Sequence, residues 1–436
     1  MAFDWLETKL TQRAEQGLLR QRYCQQYEKD NIICINDNHY LNFSSNDYLG
    51  MRQNEGMLQA WVEGLAQFGG SSGASPLVTG HTQAHLALEA YIAEGLNREA
   101  ALLFNSGFAA NQALCMALFS RHAGATNLTS ESVNPNTKSA IFADKLMHAS
   151  FLEGAMCVGE QAQLRRFRHN DTEHLESLLE KRSASVSNVS NADTLIVSEG
   201  VFSMDGDVAP SVEIAALAHK HKAWFMLDDA HGMGVLGESG FGTVEALGLS
   251  QAQAPIVMGT FGKAIGTAGA FIAGSQTLID FLVNFAKHYI YSTAMPPAQA
   301  VATLYSLSHI ANDKTQRDKL AENIAYFRQT FNQVFGIANG VSAEGKALAD
   351  ASVQSSNTLT LADSQSAIQP IIVGCPNRAV ALSEGLKQRG IWVSAIRYPT
   401  VPKNQDRLRV TLSANHTAQD IDVLVDAIML AHEELV

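Results

Sequence analysis

Cysteine is scarce in this chain: its 436 residues hold five, Cys24, Cys34, Cys115, Cys157 and Cys375, an odd number with no C-x-x-C pair. Such a set offers neither a disulfide framework nor a zinc site, and the thiols read as scattered core or surface residues. Long apolar runs are missing as well. Uncharged apolar stretches such as Thr267 to Gly274 are far short of the ~20 residues a transmembrane helix needs, so no membrane contact is expected. The amino terminus, Met1 to Glu7, carries acids where a secretory leader carries Lys or Arg, and no apolar segment follows it, which points to the cytoplasm. Positive charge is the third shortage. Lys and Arg number 31 against 43 Asp and Glu, a net charge of −12, and a chain this acidic lacks the basic footprint of nucleic-acid binding. Hydrophobic residues reach 46%, with 32 Gly. That mixture, at this length, is globular and long enough for two or three domains.

Residues 4–29 read as a polar helix, with Trp5, Leu6 and Leu10 at helical spacing, followed by a hairpin made of Ile32–Ile35 and Tyr40–Phe43. From about residue 84 to residue 295, helical patterns alternate with short apolar runs. Ala101–Phe104, Ser139–Phe142, Thr194–Ser198, Trp224–Leu227, Ile256–Met258 and Ala270–Ala273 have the unbroken apolarity of fully buried parallel strands. After Pro297 the pattern turns to long helices over about 297–336. Strand-like runs follow at Ile368–Val373, Trp392–Ala395 and Leu408–Leu412, then a helix near 418–435. The stretches His122–Lys138 and Arg182–Asp193 are rich in small polar residues without periodicity and read as surface loops. The expected division is an N-terminal segment over 1–55, a large α/β domain over 56–295 and a smaller α+β domain over 296–436.

Three motifs are decoys. Gly232 to Gly237 matches G-x-G-x-x-G, but Asp228, Asp229 and His231 stand between strand and glycines, and a poor helix follows. Gly262-Lys263 resembles the end of a P-loop, yet Val257 and Ala264 occupy the required Gly and Ser/Thr positions. His81 and His85 are four apart as in a zinc protease helix, but Thr82 stands where the glutamate belongs. They read as histidines of a loop or helix start.

Three other features converge. Lys263 follows a buried strand among small residues, where partial desolvation lowers an amine's pKa and suits it to Schiff-base chemistry. Asp228 lies at the carboxyl end of another strand, where ligands gather in α/β sheets and a carboxylate can keep a pyridinium nitrogen protonated. Ser106–Asn111 joins a strand to a helix whose amino end favours an anion. Taken in chain order, the anion loop, the strand-end acid and the strand-end lysine fit a pyridoxal phosphate site.

The segments Leu41–Gly50, Ser75–His81, Phe104–Gln112, Glu199–Asp207, Asp228–Gly232, Gly259–Lys263 and Tyr291–Pro297 resemble those of the α-oxoamine synthases. Arg165–Asp171 and Ala395–Pro402 resemble the biotin-pathway branch of that family. The resemblance spans nearly the whole chain. It implies the α/β architecture of a fold-type I pyridoxal phosphate-dependent transferase, with a mainly parallel central sheet and a smaller C-terminal α+β domain. The implied cofactor is pyridoxal 5'-phosphate, and no metal is implied. The implied reaction is a decarboxylative condensation of L-alanine with pimeloyl-CoA or pimeloyl-acyl carrier protein, in a homodimer with shared active sites. Glycine-using acetyltransferases, aminolevulinate synthases and sphingoid-base synthases are the alternatives within the family.

By resemblance, Lys263 would be the Schiff-base and proton-transfer lysine, Asp228 the partner of the pyridine nitrogen and His148 the histidine stacked on the ring. His231 would bond the ring oxygen. Gly107, Phe108, Ser203 and Thr260 would contact the cofactor, and Thr293 would reach the phosphate of the neighbouring subunit. Arg397 would take the amino-acid carboxylate, with Arg20 and Thr400 near the acyl group. Departures are few: Ala74 stands where relatives often have glycine, Tyr398 where some have proline, and 122–138 is longer than the family pattern. Loops absorb such insertions.

Overall fold

The computed structural model describes residues 3–16, 18–119, 139–185, 193–338 and 358–435. The stretch 122–138 read as an insertion lies outside them. Near the amino terminus, β1 (Gln25–Lys29), β2 (Ile32–Ile35) and β3 (Asn38–Asn42) form an antiparallel meander. Residues 4–29, expected to form one helix, do not. The helix ends at Glu15 with no buried residue, and Gln25–Lys29 is instead an almost wholly exposed strand against β2. A polar segment with water on nearly every side carries little periodicity to distinguish helix from strand.

The central sheet is built from β4 (Ala100–Phe104), β5 (Ser139–Asp144), β6 (Ala162–Phe167), β7 (Thr194–Glu199), β8 (Trp224–Asp228), β9 (Ile256–Thr260) and β10 (Ala270–Gly274). Their order across the sheet is β4-β10-β9-β8-β7-β5-β6. β5 through β9 pair in parallel. β10 was expected to be parallel and is not: it runs antiparallel to both β4 and β9. Every residue of it is buried, and a strand buried on both faces bears no trace of direction. Successive residues feed opposite faces. Ile196, Phe225 and Val257 enter one apolar cluster, Val197, Met226 and Met258 the other, so both faces of the sheet are covered. This two-sided burial forces the ligand site to the strand ends.

In the C-terminal region, β11 (Thr360–Leu361), β12 (Ile368–Ile372), β14 (Ser394–Ile396) and β15 (Arg407–Thr411) form a third sheet, in the order β11-β12-β15-β14. The run Trp392–Ala395 is two strands rather than one. β13 (Ile391–Trp392) pairs in parallel with β3, and β14 then pairs with β15, so the chain passes from one sheet to another at Val393. Helices Pro297–Asn312 and Thr315–Ala338 precede this sheet, and helix Ala418–Glu433 closes the chain. Part of the stretch read as a loop over 182–193 is helical, since helix Thr172–Ser185 includes Arg182.

The turn after β8 shows why its glycines are there. Asp229 is fully buried, its two carboxylate oxygens accepting from the Thr243 amide at 2.6 Å and hydroxyl at 2.7 Å. A Cβ on Gly232 would lie 2.1 Å from Asp229 Oδ1. Gly232 therefore serves close packing around a buried acid, and Gly234 and Gly237 take left-handed backbone in the turn, with φ of 83° and 89°, so the motif is used by the turn itself. Gly232→Ala is expected to destabilise the protein by about 2 kcal/mol or more. A lowered urea midpoint checks this, and an unchanged midpoint contradicts it.

Candidate active site at the carboxyl ends of the strands

Glu199 ends β7 and Asp228 ends β8, paired across the ladder and both buried. Lys263 occupies the turn after β9, which is closed by hydrogen bonds from Gly266 N to Lys263 O and from Phe261 N to Gly269 O, both 2.9 Å. Burial lowers the Lys263 amine, Asp228 and Glu199 pull it back up, and Arg409 opposes them, leaving it at about 8. Glu199 is pushed well above the usual carboxylate range by burial and by the charge of Asp228, against the lowering pull of Lys263 and the His148 and Ser203 amides. Its Oε1 has no hydrogen-bond partner among the described residues. Asp228 accepts from Asn111 Nδ2 at 2.9 Å and from the Ala230 amide at 3.2 Å.

His231 is buried with its Nδ1 2.6 Å from the Tyr48 hydroxyl. Burial, followed by Lys263, Arg409 and His148, holds it well below the usual histidine range, so it is a neutral hydrogen-bonding group. His148 is exposed at the amino end of helix Ala149–Cys157. Its Nδ1 lies 2.7 Å from Ser150 Oγ, which in turn accepts from Asn111 Nδ2 at 2.9 Å. Asn111 and Ser150, completely or nearly completely buried, tie His148 to the strand-end acid Asp228.

On the opposite side, helix Gly107–Phe119 begins directly against β9. A Cβ on Gly107 would stand 2.7 Å from Thr260 Cγ2. The Thr260 hydroxyl is buried with no partner among the described residues, and Phe108, next to Gly107 in sequence, is exposed. A helix amino end with an orphaned hydroxyl at the adjoining strand end suits a phosphate, because free N–H groups and the helix dipole both favour an anion. A lowered amine for an aldehyde, a buried carboxylate for a ring nitrogen and this anion corner together fit pyridoxal phosphate.

Arg409, overlooked in the sequence, is buried on β15 close enough to influence both Lys263 and His231. Its guanidinium donates to Ser203 O at 2.8 Å, Thr411 Oγ1 at 3.0 Å and Asn46 Oδ1 at 3.2 Å, with no carboxylate among its hydrogen-bond partners in the described residues. A buried cation held only by neutral acceptors is ready for an anionic ligand. Its alternation Arg407-Leu-Arg409-Val reads as an ordinary strand, and this concealed it. Arg397 is half-buried after β14, its carbonyl accepting from Thr400 N at 3.0 Å. Arg20, Thr293 and Thr400 are exposed, and none makes a side-chain hydrogen bond into the cluster among the described residues. The Thr293 carbonyl accepts from Asn105 Nδ2 at 2.8 Å. His81 pairs with Glu89 at 2.9 Å, and His85 Nδ1 accepts from Thr82 N. Both are engaged in local structure.

An ion cluster, buried at Asp144 and half-buried at His169 and Asp207, steadies the loop that carries Ser203. His169 lies 2.9 Å from Asp144 and 2.8 Å from Asp207. Burial opposes its charge, but bonds and charge attraction from both carboxylates overcome this and push it up to about 10. A histidine raised in the folded state contributes stability that is fully present below its unfolded value near 6.5 and is lost as pH rises through about 10. The Tm gap between the natural protein and His169→Gln is therefore expected to be largest below about pH 6.5 and to shrink steadily towards pH 10. A gap that grows with pH contradicts the assignment.

The family model for aminotransferase class I and II matches residues 38–428. The 8-amino-7-oxononanoate synthase of Vibrio atlanticus is 40% identical over 428 residues, 98% of this chain and 93% of that protein. Serine palmitoyltransferase from S. paucimobilis superposes with a TM-score of 0.82 at 24% identity, over 99% of this chain and 98% of that one. The 8-amino-7-oxononanoate synthase from Francisella tularensis gives 0.68 at 28% identity, over 91% and 98%. The architecture is that of the fold-type I pyridoxal phosphate enzymes.

Proposed function

The chain belongs to the aminotransferase class I and II family, and on that premise we propose that it acts as an 8-amino-7-oxononanoate synthase. It would condense L-alanine with a pimeloyl group carried as a thioester on coenzyme A or acyl carrier protein, releasing CO2 and the free thiol, in biotin biosynthesis. The strongest support is the 40% identity with a synthase of that name over nearly the entire chain.

Pyridoxal phosphate, when bound, supplies an electron sink for negative charge at the amino acid's Cα. Asp228 would hold a proton on the pyridine nitrogen, and His231 would bond the ring oxygen. The Gly107–Phe108 amides, Ser203 and Thr260 would hold the phosphate side. His148 would cover the ring face. Lys263 would bind the cofactor and take the Cα proton; with its amine at about 8, roughly a tenth is neutral at pH 7, against less than about a thousandth for an ordinary lysine. Arg409 and Arg397 are the cations for the substrate carboxylate, and planar guanidinium forks suit it. Arg20 and Thr400 would lie along the acyl chain. The working unit would be a cytoplasmic homodimer, with exposed Thr293 reaching the neighbour's phosphate.

The test is thiol release from pimeloyl-CoA by the pyridoxal phosphate-loaded protein. L-alanine is expected to be preferred over glycine by about 10–200-fold, the range one methyl group can command, and Lys263→Ala to reduce turnover at least about a thousandfold. Preference for glycine with acetyl-CoA, or an active Lys263→Ala variant, overturns the proposal.

A further inference from the structure

The polar chain behind His148 has a direction that can be worked out bond by bond. Asn111 Nδ2 lies 2.9 Å from Asp228 Oδ2 and 2.9 Å from Ser150 Oγ. Turning the amide over would set its carbonyl oxygen against the Asp228 carboxylate, so the nitrogen must face both, donating one hydrogen to each. Ser150 Oγ therefore accepts from Asn111, and its own hydrogen is left for His148 Nδ1 at 2.7 Å. The Ser150 amide also donates to that nitrogen, at 3.2 Å. A backbone N–H can only donate, so Nδ1 must be an acceptor. The ring proton then belongs on Nε2, which has no protein partner among the described residues.

We propose that Asn111 and Ser150 are positioning residues for the reaction: the relay Asp228–Asn111–Ser150 fixes His148 as the neutral tautomer with its proton on Nε2. That leaves the one free N–H of the ring for the ligand in the cleft. The relay also couples the acid meant for the pyridine nitrogen to the histidine meant for the ring face. The function of the relay rests on the roles proposed above for Asp228 and His148; the tautomer itself does not.

A histidine's tautomer is set by what its other nitrogen bonds, and partners of this kind are what hold functional side chains in place. Two donors at Nδ1 also favour the uncharged ring. The other titratable groups facing His148 are Asp228, whose charge raises it, Lys263, whose charge lowers it, Glu199, beside the His148 amide, and His231. All of them remain when Ser150 is altered.

The experiment uses the full chain labelled with nitrogen-15 histidine, His148 being assigned by its loss in His148→Gln. In protein stripped of pyridoxal phosphate, the His148 pattern is expected to place the proton on Nε2 and a bare lone pair on Nδ1. A proton on Nδ1 overturns the proposal without any variant having to fold. In Ser150→Ala the titration midpoint of His148 is expected to rise by about one pH unit, the worth of one hydrogen bond to the neutral ring, and Ser150→Thr is expected to restore it. An unmoved midpoint in Ser150→Ala overturns the proposal, as does a Ser150→Thr midpoint displaced like that of alanine. In the loaded protein the acid limb of kcat should follow the same displacement with KM little changed. A limb that stays put while the midpoint moves supports the relay and counts against the role proposed for His148.

Discussion

Two carboxylates, Glu199 and Asp228, end adjacent parallel strands side by side and buried, and the rest of the site is arranged around that constraint. Two like charges so placed cannot both be ionised cheaply out of water. Lys263, delivered by the next strand, is the nearest answer. Its ammonium is drawn by both acids while burial works against it, and the balance leaves it at about 8. Asn111 satisfies one oxygen of Asp228, and the Glu199 carboxyl takes most of the cost through its raised pKa. The poised amine and the strand-end acid are thus two sides of a single electrostatic compromise.

That compromise needs walls, and they come from distant parts of the chain. The N-terminal segment supplies Tyr48 to His231 and Asn46 to Arg409. The C-terminal sheet supplies Arg407, which donates to Asp205 at 2.7 Å, and Arg409, which donates to Ser203 O. The loop between β7 and β8 is consequently gripped from one side by arginines and from the other by His169. Ser203 and Glu199 are held by long-range contacts, which is why a loop can carry part of the site without losing its geometry.

The sequence made Lys263 and Asp228 legible because strand ends next to small residues are where chemistry collects in α/β sheets. The order of apolar runs likewise foretold the layers. What escaped had physical reasons. Ala270–Gly274 is buried on both sides, so nothing in it tells antiparallel from parallel. Gln25–Lys29 is almost wholly exposed, so nothing in it tells strand from helix. Arg409 looks like one member of an alternating strand until the third sheet carries it to Ser203 and Asn46. Asn111 and Ser150 belong to quoted or neighbouring segments, yet their pairing spans 39 positions and no local pattern announces it.

The proposed chemistry requires that Lys263 be the amine that meets the cofactor's aldehyde. Borohydride reduction of the pyridoxal phosphate-loaded protein, followed by proteolysis and mass spectrometry, reads this directly. A pyridoxyl group fixed on Lys263, and on no other lysine in stoichiometric amount, is the predicted result. Stoichiometric labelling of a different lysine, or none at all in protein that holds the cofactor, would contradict the account.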